Sequence, residues 1–273
     1  MFKSGFVSII GKTNVGKSTL LNILIKNKIS ITSSKTNTTL IQIMGVCNES
    51  DYQLVFFDNP GINWKNNFLT FKNIQDSDII LFVVDREYKD KDQKILNILN
   101  KYKSKIFLII NKIDILKNKM LIDKIIISYL TKFSFDEIIP LSCLKEKNLC
   151  ILKQKILLYL DQKKPYFSKN FLTNITKKEL ISDLIREKVL LYINSEIPYF
   201  CRILVENIFL NEGLSLMNID ASIVVKKESH KKIIIGKHGS KIKQIGMDAR
   251  KEISHIFKIK IFLNLYIKLN KKN

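Results

Sequence analysis

Residues 11–19 read Gly-Lys-Thr-Asn-Val-Gly-Lys-Ser-Thr, a G-x-x-x-x-G-K-[ST] pattern. Ahead of it lies Phe6-Val7-Ser8-Ile9-Ile10, an apolar run suited to a buried parallel strand. Behind it lies Leu20-Leu21-Asn22-Ile23-Leu24-Ile25, the opening of a helix. Strand, glycine loop and helix in that order make a phosphate site of what would otherwise be a tight turn. Gly11 and Gly16 let the backbone curl, so that the N–H groups of the loop, through Asn14 and Val15, point at phosphate oxygens. Lys17 would reach the β- and γ-phosphates, Ser18 would offer its hydroxyl oxygen to Mg²⁺, and Thr19 continues the loop into the helix N-terminus. A fold built on this unit is α/β. A kinase, an ATPase or a GTPase could all own it.

The rest of the N-terminal half narrows the ligand. The stretch 28–39, Lys-Ile-Ser-Ile-Thr-Ser-Ser-Lys-Thr-Asn-Thr-Thr, is rich in hydroxyls and precedes an expected strand at 41–46. Placed there, it can close over a nucleotide and offer a threonine to Mg²⁺. A second apolar strand, 52–57, delivers Asp58-Asn59-Pro60-Gly61 at its C-terminal end, the edge where ligands of open α/β sheets collect. Asp58 would hold Mg²⁺ through water, and Gly61 lets a backbone N–H approach the γ-phosphate. A strand at 78–85, a helix near 91–102 and a strand at 106–110 lead to Asn111-Lys112-Ile113-Asp114. Asp114 can accept from both N1–H and the exocyclic amine of guanine, whereas adenine presents no such pair. A buried carboxylate left unpaired by the wrong base costs about 2 kcal/mol or more. Asn111 braces the loop and the Lys112 stem can lie along the base. A strand near 137–141 ends in Ser142-Cys143-Leu144, where a backbone N–H can meet guanine O6, and a helix from 147 to 160 closes the domain. Alternating elements of this length give a doubly wound, mostly parallel sheet.

In the order G-K-T-N-V-G-K-S-T, K-I-S-I-T-S-S-K-T-N-T-T, D-N-P-G, N-K-I-D and P-L-S-C, the chain resembles GTPases of the Era family. The resemblance covers nearly the whole chain, and its 28–39 stretch is the most family-specific part. It implies GTP and GDP as ligands, and places Thr39, with Thr38 beside it, at the switch position that touches Mg²⁺ and the γ-phosphate. Lys17, Thr39 and Gly61 are then the groups that stabilise the γ-phosphate during hydrolysis. There are departures. The second switch, 62–77, is shorter than the family pattern, Asn59 stands where the family has Thr, and Leu40 and Ile41 replace basic residues. Cys143 replaces Ala. Position 62 is Ile, so no side chain is an evident water positioner. Hydrolysis is expected to be slow unless a potassium ion, a partner or RNA completes the site.

At 273 residues the chain has room for two domains, each with its own core. We divide it into a GTP-binding domain at 1–162, a linker at 163–175 and a second domain at 176–273. The formal charge of +21 is uneven. Residues 1–162 hold 24 Lys and Arg against 15 Asp and Glu, and residues 163–273 hold 22 against 10. A crowding of Lys, Ile and Asn fits an AT-rich genome, but not a second part about twice as basic per residue; a polyanion partner follows. Four cysteines without C-x-x-C spacing and three histidines argue against a zinc site or a disulfide framework and fit a reducing cytosol. The first strand begins too near Met1 for a signal peptide, and no apolar run approaches the ~20 residues of a membrane span.

In the second domain, apolar spacing at Leu180, Leu184, Ile185, Val189 and Tyr192 predicts a helix, and strands follow from Pro198 to about 210 and at 218–227. Then comes Ile233-Ile234-Ile235-Gly236-Lys237-His238-Gly239-Ser240-Lys241-Ile242, a G-x-x-G loop of the KH type. Glycines three apart let the loop approach a sugar–phosphate backbone and clamp about four nucleotides. Ile235, Gly236, Lys237, His238, Gly239, Lys241, Lys243 and Lys232 are the expected RNA contacts. A helix to 257 and a strand at 260–269 complete an α-β-β-α-α-β order, the type II KH arrangement. The stretch 235–246 also resembles the KH loop of the Era family. The resemblance implies single-stranded ribosomal RNA near the 3′ end of the small-subunit RNA as target, and a role in assembly of that subunit. It places a monomer in the cytoplasm; the basic C-terminal part leaves weak contact with the inner face of the membrane open. The chain stops almost at the last strand, where family members commonly continue, so contacts from a C-terminal tail are expected to be missing. Two other readings stay open at this stage: an RNA-binding protein whose GTP site is structural, and a kinase sharing the phosphate loop.

Overall fold

A computed structural model describes residues 1–31, 42–59, 74–116, 118–193, 201–211, 213 and 215–270. The chain separates into two compact units, Met1–Asn174 and Ile175–Asn273. In the first, β1 (Lys3–Gly11), α1 (Lys17–Ile25), β2 (Ile43–Asn48), β3 (Tyr52–Asp58) and β4 (Ile79–Val84) are followed by α2 (Asp90–Leu99) and β5 (Lys105–Ile110). Then come α3 (Lys119–Leu130), β6 (Glu137–Pro140) and α4 (Leu149–Tyr159). The sheet runs β2-β3-β1-β4-β5-β6. β1 pairs in parallel with β3 and β4, the β4-β5-β6 run is parallel, and only β2 is antiparallel to its neighbour. All six residues of β4 are buried, as a strand covered on both faces requires. Because β1 has β3 on one side and β4 on the other, successive connections diverge at its C-terminal end. A ligand crevice opens at such a point.

Helix α3 is an element the periodicity did not reveal. Its run Ile125-Ile126-Ile127 is β-branched and strand-like, yet Asn118 caps it by accepting from the Met120 N–H at 3.0 Å. Ile125 and Tyr129, one turn apart, face the core. The crossover between parallel β5 and β6 supplies the reason for a helix there.

Of the expected linker 163–175, residues 163–174 belong to the first unit and lie along it as a strap. Gln53 on β3 is 1 % exposed, and all its hydrogen-bonding capacity is used. Its amide nitrogen donates to Asn48 Oδ1 (2.6 Å) and the Phe167 carbonyl (2.8 Å). Its oxygen accepts from the Tyr166 and Phe167 N–H groups at 2.7 and 3.0 Å. Farther on, the Val46 N–H donates to the Leu172 carbonyl (2.8 Å), and Gly45 pairs with Thr173 in an antiparallel bridge.

The second unit holds α5 (Lys177–Tyr192), β7 (Arg202–Asn211), β8 (Leu216–Val225), α6 (Glu228–Ile235), α7 (Ser240–Phe257) and β9 (Lys260–Leu269). This is the α-β-β-α-α-β order expected. The sheet runs β7-β8-β9, antiparallel then parallel. Ile219, Ala221, Ile223 and Val225, the alternating residues of β8, are fully buried against Ile181, Leu184 and Val189 of α5 and Ile245, Ala249 and Ile253 of α7. Thr176 begins α5 with a capping box: its N–H donates to Glu179 Oε2 (2.8 Å) and its hydroxyl accepts from the Glu179 N–H (3.2 Å). Leu180 and Tyr192 are only partly buried, and the Tyr192 hydroxyl donates to Asp248.

Asp183 on α5 is pushed up from 3.8 to about 6 by burial, aided by Glu179 and Glu187 and opposed by Arg186. Its raised pKa therefore costs stability in full above about 6, and the cost declines as the pH falls from there towards the unfolded value of 3.8. Asp183→Asn is expected to stabilise the second unit by about 2 kcal/mol at pH 7.5. The gain should shrink as the pH falls through about 6 and be absent near pH 4 in urea unfolding of the full chain.

Candidate nucleotide site and glycine loop

The phosphate loop connects β1 to α1 at the diverging edge of the sheet. Gly11 has φ +152°, and a Cβ there would strike the Val83 carbonyl oxygen. Asn14 has φ 65°, and Gly16 has φ 99° at the N-cap of α1. A Cβ on Gly16 would strike the amide nitrogen of Asn111. Lys17 is 6 % exposed, and its Nζ donates to the Lys12 carbonyl at 2.7 Å. Burial pulls the Lys17 amine below its ordinary range, while the charge of Asp58 works the other way. Val15 is buried, and Thr19 sits half-buried on the first turn of α1.

Ser18 donates its hydroxyl to Asp58 Oδ2 at 2.6 Å, and the Ser30 hydroxyl reaches the same oxygen at 3.4 Å. Asp58 is fully buried, and its Oδ1 has no hydrogen-bond partner among the described residues. Burial pushes its carboxyl above the usual carboxylate range, opposed by Lys17 and the two hydroxyls. A buried carboxylate with one oxygen unsatisfied, beside a serine hydroxyl, fits a hard cation whose other ligands are phosphate oxygens and water. No group of three or more His, Cys, Asp or Glu able to hold a metal occurs among the described residues.

The base-reading end is joined to the phosphate loop by Asn111, which is 2 % exposed. Its amide nitrogen donates to the Val15 carbonyl (2.8 Å) and its oxygen accepts from the Cys143 N–H (3.1 Å). Lys112, in the left-handed region at φ 62°, donates to the Asn14 carbonyl (2.6 Å) and pairs with Asp85 (2.7 Å). Asp114 accepts from the Ser142 hydroxyl, which in turn accepts from the Lys145 N–H at 3.1 Å. Of the backbone N–H groups at 142–144 expected near guanine O6, that of Cys143 donates to Asn111. The Cys143 thiol, pushed up to about 12 by burial, is a neutral packing group.

Thr38, Thr39 and Gly61 lie outside the described residues, as do Ile62 and most of the 28–39 and 62–77 segments. The beginning of the first segment is pinned to α1, because Asn22 Oδ1 accepts from the Ile29 and Ser30 N–H groups, both at 3.0 Å. Asn22 and Asp85 belong to no motif and meet the site only through the fold, and Ser30, within the 28–39 stretch, is tied to Asp58 only once the chain is folded.

In the second unit, α6 ends at Gly236 (φ 73°), and a short turn with His238 at φ 51° leads to Gly239 (φ 75°), the N-cap of α7. Lys232, Lys237, His238, Lys241 and Lys243 are exposed around this loop, and Ile235 is half-buried. Beside it a cleft of about 340 Å³ runs between Ile242, Gly246 and Met247 of α7 and Leu263 and Leu265 of β9, with Lys243 and Arg250 at its margin. A Cβ on Gly246 would meet nothing within 4 Å. The G-x-x-G pattern points to the loop but not to this cleft. The available signal was Gly246 itself, since a glycine inside a helix costs about 1 kcal/mol and asks for a reason.

Comparison with known proteins matches both halves. The family model described as 50S ribosome-binding GTPase fits residues 6–112, and the KH domain model fits residues 196–273. GTPase Era of Clostridioides difficile is 41% identical over 281 residues, covering 98% of this chain and 94% of that protein. GTPase Era of Caldanaerobacter subterraneus subsp. tengcongensis is 35% identical over 279 residues, covering 99% and 93%. A crystal structure of an Aquifex aeolicus Era variant bound to GDP and AlF4⁻ superposes with a TM-score of 0.91 at 32% identity, covering 98% of this chain and 94% of that one. An Era bound to MgGDPNP and nucleotides 1506–1542 of 16S ribosomal RNA has the same TM-score, identity and coverage. Matched to these relatives over nearly its full length at 32–41% identity, the chain belongs to the Era family of GTPases.

Proposed function

We propose that this protein is a GTP-hydrolysing switch that grips single-stranded RNA near the 3′ end of the small-subunit ribosomal RNA and serves assembly of that subunit. The observation that carries the reading is the joining of three loops by Asn111, which sets a guanine-specific carboxylate, Asp114, at a fixed offset from the phosphate cradle. Asp114 accepts from the N1–H and amine of guanine while Ser142 orients it, and the Lys112 stem lies along the base. The N–H groups of residues 14–19 and the Lys17 amine receive the phosphates. With a nucleotide bound, Ser18 would turn its hydroxyl oxygen from Asp58 to Mg²⁺, and Asp58 would hold the ion through water. The ion, when bound, neutralises charge developing between the β- and γ-phosphates. Thr38, Thr39 and Gly61 are assigned to the γ-phosphate on family resemblance alone.

Water activation is the weak point of this chain, with Ile at position 62. A potassium ion or the RNA is proposed to complete it. The KH unit takes RNA along the glycine loop, with bases entering the cleft over Gly246 and backbone phosphates meeting Lys237, Lys241 and Lys243. The protein is taken as a monomer of the cytoplasm, with weak membrane contact limited to the basic second unit. No helix among the described residues is long and apolar enough to cross a membrane. Family membership removes the kinase alternative.

Two measurements test this reading. Asp114→Asn should lower GTP affinity at least about 100-fold and create affinity for xanthosine triphosphate, whose O2 accepts where guanine donates; unchanged GTP binding would refute the base assignment. Crosslinking to 3′-end fragments of small-subunit ribosomal RNA, with GTP or GDP present, tests the second unit. Gly236→Asp with Gly239→Asp, and separately Gly246→Phe, should abolish crosslinks and leave GTP affinity intact. Loss of both functions together would mean that the division of labour between the units is wrong.

A further inference from the structure

Asp92 belongs to none of the nucleotide-binding motifs, yet it is 1 % exposed and carries an unusual load of donors. It sits at the third position of α2, and its Oδ2 accepts from the Lys89 N–H at 2.9 Å, closing the helix cap. The Tyr129 hydroxyl on α3 approaches the same oxygen at 3.3 Å. Two cations converge on the carboxylate: Arg86 with Nη1 at 3.1 Å from Oδ2 and Nη2 at 3.4 Å from Oδ1, and Lys12 with Nζ at 2.5 Å from Oδ1. Burial alone would raise its pKa, but the bonds from Lys12 and the Lys89 N–H and the charges of Arg86 and Lys12 outweigh it. The group is held below the ordinary carboxylate range.

Lys12 is the first residue after Gly11 in the phosphate loop, and its carbonyl is the acceptor that holds the Lys17 amine at 2.7 Å. A continuous path therefore runs from the Asp92 carboxylate through the Lys12 side chain to its backbone carbonyl, and from there to the amine that meets the phosphates. On the other side, Lys112 and Asn111 hold the carbonyls of Asn14 and Val15. We propose that Asp92 is a positioning residue for GTP binding and hydrolysis: by fixing Lys12 it sets the carbonyl that aims Lys17, and it clamps the N-terminal half of the phosphate loop while Asn111 and Lys112 clamp the C-terminal half. A helix cap alone needs neither Lys12 nor Arg86. Nor does a cap account for a carboxylate receiving an ion pair from the loop it does not belong to.

The inference rests on residues 11–19 being the phosphate cradle, and the test keeps the two apart. The full-length protein is compared with Asp92→Asn, which preserves shape and one acceptor, with Lys12→Met, which leaves the helix cap untouched, and with the double variant. Release of fluorescent GDP, single-turnover GTP hydrolysis at saturating Mg²⁺ and thermal unfolding are measured on each. Asp92→Asn and Lys12→Met should each speed GDP release and slow hydrolysis by about tenfold, the scale of one charge-assisted hydrogen bond. The double variant should be no worse than either single, because both break the same path. Thermal destabilisation should appear in Asp92→Asn and be small in Lys12→Met. The proposal is overturned if Asp92→Asn lowers only the unfolding temperature while release and hydrolysis stay at wild-type rates. It is equally overturned if Lys12→Met is silent, or if the two losses multiply. A wild-type protein that binds no GDP would instead bring down the cradle itself.

Discussion

Everything at the nucleotide site depends on one buried side chain finding a partner for each of its two amide atoms. Asn111 has little contact with solvent, and its amide must find partners in the protein or leave buried polar atoms unpaired. It finds them on two different loops, the Val15 carbonyl and the Cys143 N–H, while Gly16 clears the space in which its nitrogen lies. Three segments far apart in the chain thereby acquire a common origin. A phosphate cradle and a base reader are useful only at a set separation, about the length of a nucleoside, and an amide bridge holds separation better than apolar contact, which tolerates sliding. Lys112 adds a second tie between the same loops through the Asn14 carbonyl and Asp85.

The two units use glycine for opposite ends. In the phosphate loop the missing Cβ makes room for protein: the Val83 carbonyl at Gly11 and Asn111 at Gly16. In the KH unit, Gly239 and Gly246 border open space, where the missing side chain leaves room for something outside the chain. The first pattern builds rigidity before a ligand arrives; the second keeps a surface low enough for a bulky polymer to come close.

Much of this was legible in the sequence, and what was not has physical causes. The doubly wound order and the KH topology follow from strand-helix alternation and from the period of two over Ile219–Val225, signals that are local. The phosphate loop and N-K-x-D are local as well. What escaped was what folding brings together. Helix α3 was hidden by its isoleucine run, because β-branched residues score against a helix until a parallel crossover demands one. The strap read as a linker because its order comes from Gln53, more than a hundred residues away. Gly246 lacked a meaning until β9 lay opposite it. Asp92 looks like any acid at the start of a helix, and only the fold shows Lys12 across from it.

The strap has a further consequence, for how copies of this protein treat one another. Strands this rich in Ile, Val and Phe are hazardous wherever a sheet ends, because an open edge is a template for another chain. On one side of the large sheet, β2 is covered: residues 172–174 take up the N–H groups of Val46 and Met44 and the carbonyl of Met44. On the other, β6 is only four residues long and ends in Pro140, which has no N–H to offer. The small sheet relies on different means: β7 is broken by an irregularity between Val205 and Asn207, and β9 carries Lys260 and Lys268 near its ends. The segment that joins the two units is thus also the guard of an edge, and loosening it would expose the first unit to strand-on-strand association.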